Sequence, residues 1–584
     1  MTHRWSVRTD AGGDEAEMRL AARLRIEPVV ARVLLARRRG DEAESWLTPS
    51  LRAGLHDPSH LPDLDRAAAR LLDAARSGHP IAIYGDYDVD GVTASAILWH
   101  VLRAVVPHAL LMTYIPHRLD EGYGVHAGAV RTLAEQGARV IVSVDCGVTA
   151  FEPAAAAREC GVDLIITDHH NLPPRESGLP DAYAVVHPRL EGSEYPFGEL
   201  CGAGVAFKLA WRIATMAAGS ERVHEPMRET LLDLLALAAL GTVADIVPLV
   251  DENRVIARFG LARVRTTRIA GLGALVRASG LAGESVDAEA AGFKLAPRLN
   301  ACGRLGHARE ALELLTTAEG DRAGEIARVL TSVNAERQSI ERRIFEEACE
   351  AAESAGQTEP SARAIVLADE RWHPGVVGIV CSRLVRRYHR PSILLHRDNG
   401  TCAGSGRSID GYSLHAGLAA SAAHLTRFGG HDMAAGLALE TAHLDAFSAT
   451  FGAHAAEHID DSMLVRRLDV DAPATLSELS AESVHRLRTL GPFGRENPPP
   501  RLVVRDLRIA DAPRLMGERG RHLALRASAG GASAIRLIGW GWGDRAEHLA
   551  AGQRIDAVIE PKLNTWNGVT SVEGELVDAR VASR

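Results

Sequence analysis

The chain has 584 residues, of which 46% are hydrophobic and 24% charged, and its formal charge is −9. This balance excludes a disordered, collagen-like or disulfide-scaffold protein, and at roughly 150 residues per domain it calls for three or four domains. There is no global basic field, so a nucleic-acid surface would have to be local and set against acidic surface elsewhere. The first 45 residues carry no interpretable motif and are read as an N-terminal extension. Between about residues 78 and 190, short apolar runs alternate with Ala-rich stretches. Strands are predicted at Ile81–Tyr84, Leu111–Ile115, Val140–Val144, Leu164–Thr167 and Ala184–Val186, with helices at Thr93–Val105, His126–Gln136 and Ala150–Cys160. That alternation predicts a mostly parallel sheet covered by helices on both faces, with ligands beyond the carboxyl ends of its strands. Helices then dominate, and Asp321–Ala355, long and nearly free of breakers, is read as a connecting helix. A second α/β domain is expected over 359–457, with strands at Ala364–Leu367, Ser392–Leu395 and Thr401–Gly404. After Leu464, five strand-like runs with short turns suggest a small barrel over 464–584, such as an OB-fold. The domain division is therefore 1–45, 46–305, 306–358, 359–457 and 464–584.

The strongest chemical signal is Gly85-Asp86-Tyr87-Asp88-Val89-Asp90-Gly91, just past a predicted strand. Its three carboxylates would project to one side if the backbone stays extended, and they would repel one another unless a cation sits among them. An EF-hand loop shares D-x-D-x-D-G but needs a bidentate Glu where this chain has Ile97. An Asp-rich turn is the structural alternative. The same chemistry recurs at later strand ends. Asp145 precedes Cys146-Gly147-Val148, Asp168-His169-His170 follows Leu164–Thr167, and Asp245 lies in Gly241-Thr242-Val243-Ala244-Asp245. Singly, each also fits a helix cap. A carboxylate-rich set with imidazole and no thiolate suits two Mn²⁺ or Mg²⁺ ions, the arrangement used to hydrolyse phosphodiesters.

In order and spacing, YGDYDVDGVTAS, SVDCGVTA, TDHHNLP and GTVADIVPL resemble the four motifs of the DHH phosphoesterase superfamily. The resemblance implies that Asp88 holds one metal and Asp90 the second, with Asp145 bridging them. His169 and Asp245 would complete the second site, with Asp86 as an additional acidic position at the first. Asp168 would orient, and His170 would touch the scissile phosphate or the leaving oxygen.

Gly404-Ser405-Gly406-Arg407-Ser408 and Gly429-Gly430-His431 fit either a phosphate cradle or tight turns, and together they resemble a DHHA1 domain. The segments around Arg118, Pro297–Arg304, Asn334–Gln338, Trp372–Gly378 and Gly491–Pro498 match the single-strand-specific exonuclease branch of the superfamily. By resemblance, the fold is a parallel-sheet DHH domain and a smaller α/β DHHA1 domain joined by a long helix, then an OB-fold barrel. A 5′→3′ exonuclease would release 5′-mononucleotides from single-stranded DNA. Ser405 and Arg407 would grip the terminal 5′-phosphate, helped by Arg118, Arg298 and Arg304, with His373 and His431 as further contacts. Phe493, Trp540, Trp542 and Trp566 fit base stacking or barrel core. The alternatives are a phosphodiesterase of short oligonucleotides or cyclic dinucleotides, and a scaffold that has lost its ligands. The resemblance further implies a monomer working in recombination and repair with single-strand-binding protein and a helicase. Seven scattered cysteines without a C-x-x-C pair fit a reducing, cytoplasmic setting. The most apolar run, Leu231–Val250, is broken by Asp233 and Asp245 and is not read as a membrane span.

Overall fold

The computed structural model describes residues 3–8, 13–531 and 533–582. The chain divides into two compact units, one of residues 51–464 with 494–496, the other of residues 1–50, 465–493 and 497–584.

The first unit begins with an all-parallel sheet in the order Leu111–Tyr114, Ile81–Gly85, Val140–Val144, Asp163–Thr167, Ala184–Val186. Ile81–Gly85 and Val140–Val144 are buried at every position, as central strands covered on both faces must be. Alternate side chains feed two separate cores. Ile81 and Ile83 pack with the helices Val89–Val105, Gly202–Ala218 and Met227–Ala244. Ala82 and Tyr84 pack with Ala127–Glu135 and Phe151–Glu159.

The predicted connecting helix runs over Gly320–Ser354 and has 35 residues, which at about 1.5 Å per residue spans roughly 50 Å. Its first half buries Ala323, Ile326 and Leu330 in the large core, and its second half buries Ile344, Ala348 and Ala352 against the helix Pro374–Tyr388. One rigid element thus belongs to both lobes. The second lobe is a mixed sheet in the order Arg427–His431, Ala434–Glu440, Thr401–Arg407, Ser392–Asp398, Ile365–Asp369. The run Gly404–Arg407 is therefore strand, paired on both sides, and not a tight turn. Gly429-Gly430-His431 likewise lies in a strand.

In the second unit the strands form a ring in which Leu502–Ile509, Arg554–Trp566, Val569–Val581, Ile535–Gly539 and His522–Ser528 are successive neighbours. Among the described residues the ends of the ring meet only at Arg508↔Ser528 and Ile509↔Ala527, leaving a partly open OB barrel. Trp542 is buried and belongs to the core, whereas Trp540 and Trp566 are exposed. The first 50 residues are built into this unit. Arg4–Val7 pairs in parallel with Arg467–Val470, and the Arg37 guanidinium forks onto Asp471 at 2.9 and 2.8 Å while also donating to Asn497. Among the described residues no helix is long and apolar enough to cross a membrane.

Candidate active site

Three adjacent parallel strands end level with one another, because Gly85 pairs with Val144 and Val144 with Thr167. Asp86, Asp145 and Asp168 are the next residues on each, so register alone brings them to one edge. The Asp86–Asp90 segment does not stay extended. Asp88 caps the helix Val89–Val105, its Oδ1 accepting from Asp90 N at 2.9 Å and Gly91 N at 3.2 Å. A Cβ at Gly91 would lie 2.6–2.8 Å from the Asp86 backbone, so this turn needs glycine. The three carboxylates therefore fan out from a strand end, a cap and a first helical turn.

Ligand atoms of Asp86, Asp88 and Asp145 lie within 4.8 Å of one another, as do those of Asp90, His169 and Asp245, and those of Asp145, His169 and His170. His169 Nε2 is 3.1 Å from Asp145 Oδ1, 3.6 Å from Asp245 Oδ2 and 3.7 Å from Asp90 Oδ2. Asp90 is held in place by Gly202 N (2.6 Å) and Ala203 N (2.8 Å), at the start of the helix Gly202–Ala218. Among the described residues, Asp86 Oδ1, Asp145 Oδ1 and His169 Nε2 are buried without a hydrogen-bond partner. Orphaned buried acceptors in a carboxylate and imidazole set fit divalent cations of the Mn²⁺ or Mg²⁺ kind.

Burial and mutual repulsion push Asp86 and Asp145 well above the usual carboxylate range, raise Asp88, and bring Asp245 up to about 9. Folded-state values above the unfolded ones mean that the metal-free fold binds extra protons at neutral pH and loses stability as pH rises toward 9. Metal must displace those protons. The Mn²⁺-induced rise in Tm is accordingly expected to be larger at pH 8 than at pH 6. Equal rises in paired melting curves would show that these carboxylates do not gather the metal.

Asp168 is used differently. Its carboxylate accepts from Val148 N (2.9 Å), His169 N (2.7 Å) and His170 N (3.1 Å), and lies 2.7 Å from His170 Nδ1. Although burial opposes it, the His170 bond and charge hold Asp168 well below the ordinary range. Burial also opposes the charge on His170, but the hydrogen bond and charge of Asp168 outweigh it and raise His170 to about 9. His170 is thus an oriented imidazolium beside the carboxylate cluster. Tyr123 joins it, with its hydroxyl 2.9 Å from His170 Nδ1 and donating to Asp145 O at 3.2 Å. The loop that carries Tyr123 is tied down by Tyr84 Oη donating to Gly124 O at 3.0 Å. The sequence motifs give no role to Tyr123, nor to the amides of Gly202 and Ala203. Loss of one such bond costs about 0.5–1.5 kcal/mol, so Tyr123→Phe should lower kcat by about 2–10-fold. An unchanged kcat in steady-state assays would remove Tyr123 from the site.

In the second lobe, Ser405 and Arg407 stand at the end of the strand Thr401–Arg407. Gly378 floors the space beneath them, since a Cβ there would lie 3.2 Å from Ser405 Oγ and 3.6 Å from Arg407 Nη2. His373 caps the adjoining helix Pro374–Tyr388, accepting from Gly375 N at 3.1 Å. Arg304 Nη1 donates to Gly375 O at 3.2 Å, and Arg304 O approaches Gly375 so closely that a Cβ has no room. Arg118 lies 4.6 Å over the Tyr87 ring. Burial, then the charge of Arg118, lower Arg304 to about 10, and burial and Arg118 also depress Arg407. Among the described residues none of these three guanidiniums is ion-paired to a carboxylate, so the cluster is costly without an anion. Arg298 donates to Lys294 O at 2.5 Å and to Thr331 Oγ1 at 3.3 Å. His431 lies at the surface, and partial desolvation, then the charge of Arg407, lower its pKa.

Comparison with known proteins finds a match to the DHH family N-terminal domain over residues 80–239, to the DHHA1 domain over 361–457 and to the RecJ OB domain over 470–578. The chain is 37% identical over 567 residues to the single-stranded-DNA-specific exonuclease RecJ of Bacillus subtilis, covering 96% of this chain and 69% of that one. It is 37% identical over 523 residues to RecJ of Thermus thermophilus, covering 89% and 71%. The crystal structure of Thermus thermophilus RecJ in complex with Mn²⁺ superposes with a TM-score of 0.83 at 33% identity, covering 100% of this chain and 80% of that one. The corresponding Mg²⁺ complex gives 0.77 at 32% identity, covering 100% and 79%.

Proposed function

The chain belongs to the RecJ family of single-stranded-DNA-specific exonucleases, and from that membership we propose that it degrades single-stranded DNA from the 5′ end, releasing 5′-mononucleotides. The observation that carries this reading is the cluster of Arg118, Arg304 and Arg407 with Ser405, in which, among the described residues, no guanidinium is ion-paired to a carboxylate and Arg304 bonds Gly375 of the second lobe. A terminal phosphate anchored there presents the next phosphodiester to the acidic edge, and a pocket for a strand end makes an exonuclease.

Asp86 and Asp88 would hold the first divalent ion and Asp90, His169 and Asp245 the second, with Asp145 placed to serve the first group and to face His169 of the second. Two Mn²⁺ or Mg²⁺ ions held there would supply a water of lowered pKa and would neutralise charge on the phosphoryl oxygens. Asp168 fixes the His170 ring, and the His170 imidazolium donates to the scissile phosphate or the leaving oxygen. Arg298, His373 and His431 are assigned to the strand around the pocket. The barrel, with Trp540 and Trp566 exposed, holds incoming strand by stacking. Working domain limits are 46–305, 306–358, 359–457 and 464–584. The first 50 residues go with the last of these on account of their packing. The cellular reading is a cytoplasmic monomer acting in recombination and repair beside single-strand-binding protein and a helicase.

The test is a time course on a 3′-labelled single strand in Mn²⁺ beside the same strand in a blunt duplex. Stepwise shortening from the 5′ end with the duplex spared is expected. Activity confined to strands a few nucleotides long would shift the reading to an oligonucleotide phosphodiesterase. Binding without cleavage would shift it to a scaffold.

A further inference from the structure

Asn253 lies outside the motifs of the site, yet it is fully buried and touches both the turn that supports Asp90 and the segment that carries Asp245. Its Nδ2 donates to Glu199 O at 2.5 Å and to Pro248 O at 3.1 Å. Both partners are carbonyls, so only the amide nitrogen can face them, and the orientation of this side chain is forced. Glu199 opens the turn that ends in Gly202 and Ala203, whose amides hold Asp90. That turn has no slack on its other side, because a Cβ at Gly202 would lie 2.5–2.7 Å from the Asp145 side chain. Pro248 lies three residues after Asp245, in a segment anchored further by Leu249 N donating to Arg495 O at 2.9 Å. One amide group therefore ties the support of Asp90 to the segment that carries Asp245.

The neighbouring residue holds this bridge in register. Glu252, also fully buried, pairs with the buried Lys208 and accepts from Tyr195 Oη and from His56 N at 2.9 Å. Lys208 stands on the helix Gly202–Ala218, the same helix whose start holds Asp90, and donates to His56 O at 2.6 Å. Desolvation offsets most of the attraction in a buried ion pair, and its robust consequence is fixed geometry. Here it locks the helix Asp251–Val264 against the helix Gly202–Ala218.

We propose that Asn253 is a positioning residue that sets the separation of Asp90 and Asp245, and hence the affinity of the second metal site. This inference rests on the two-ion reading above. Removing an outer support of a metal ligand typically costs about 10–100-fold in affinity.

The test is Mn²⁺ binding to the full chain, followed by calorimetric titration and by the electron paramagnetic resonance signal of free Mn²⁺, for wild type, Asn253→Ala and Asn253→Ser. Wild type should bind two ions. Asn253→Ala should weaken one of them by about 10–100-fold and leave the other within about threefold. In strand hydrolysis the Mn²⁺ concentration for half-maximal rate should rise by the same factor, with kcat at saturating Mn²⁺ nearly restored. If the alanine variant does not fold, the serine variant, whose hydroxyl can still donate to one carbonyl, is read by the same criteria. A single ion in the wild type would overturn the two-ion reading and the clamp with it. Two ions in the wild type, with unchanged affinities in the variant, would overturn the clamp alone. Loss of both ions together, or of folding in both variants, would make Asn253 a structural residue and equally overturn the assignment.

Discussion

Asp145→Asn is expected to lower strand hydrolysis by at least ~10³-fold while raising the Tm of the metal-free protein by about 2–4 °C at pH 8, the shift of roughly 1 kcal/mol in a domain of this size. The two effects share one cause. Asp145 belongs both to the group with Asp86 and Asp88 and to the group with His169 and His170, so in the proposed two-ion arrangement both ions would depend on it. Without metal it is also the most crowded, raised by burial and then by the charges of Asp90, Asp88, Asp245 and Asp86. Making it neutral relieves that repulsion, the usual exchange of function for stability at such sites. Asparagine is the right probe. The residue sits at a φ of +63°, which Asn tolerates better than other non-glycine side chains, and the approach of Gly202 leaves room for an isostere only. Melting curves with and without Mn²⁺, beside steady-state rates, give both quantities. A metal-free Tm that falls, or activity within tenfold of wild type, would contradict this account of the cluster.

How much of this site was readable in advance follows from where each signal resides. Asp86, Asp88, Asp90, Asp145, Asp168, His169, His170 and Asp245 announce themselves because their chemistry is in the side chain and most follow apolar runs that parallel pairing aligns. The supports do not. Gly202 and Ala203 hold Asp90 through backbone amides, which any residue could supply, and Asn253 acts across more than fifty positions. At Gly404–Arg407 the glycines fit a phosphate cradle or a turn from sequence alone, and only the structure shows why Gly404 is needed: Leu394 O of the neighbouring strand passes directly over it. The opening residues were unreadable for a plainer reason. The strand Arg4–Val7 finds its partner at Arg467–Val470, and nothing local marks a pairing of that span.

Arg407→Ala should cut kcat/KM on a 5′-phosphorylated single strand by about 10²-fold and leave a 5′-hydroxyl strand nearly unchanged, so that discrimination between the two ends collapses. Hydrogen bonds to charged groups contribute about 1.5–3 kcal/mol, and the forked guanidinium offers more than one to a phosphate, so a loss near 2.7 kcal/mol is expected. The setting favours the upper end of that range. Burial and the nearby Arg118 hold Arg407 below its ordinary pKa, the signature of a cation kept from water without a carboxylate partner. In the proposed pocket an arriving phosphate would supply the missing charge, with Ser405 and the floor at Gly378 limiting where it could sit. Arg407→Lys should rescue little, because a point charge cannot reproduce the fork and is harder to desolvate. The kcat/KM ratio for the two strand ends distinguishes the possibilities. A fall of equal size on both would make Arg407 a general strand contact, and the end selectivity would then have to come from Arg118 and Arg304.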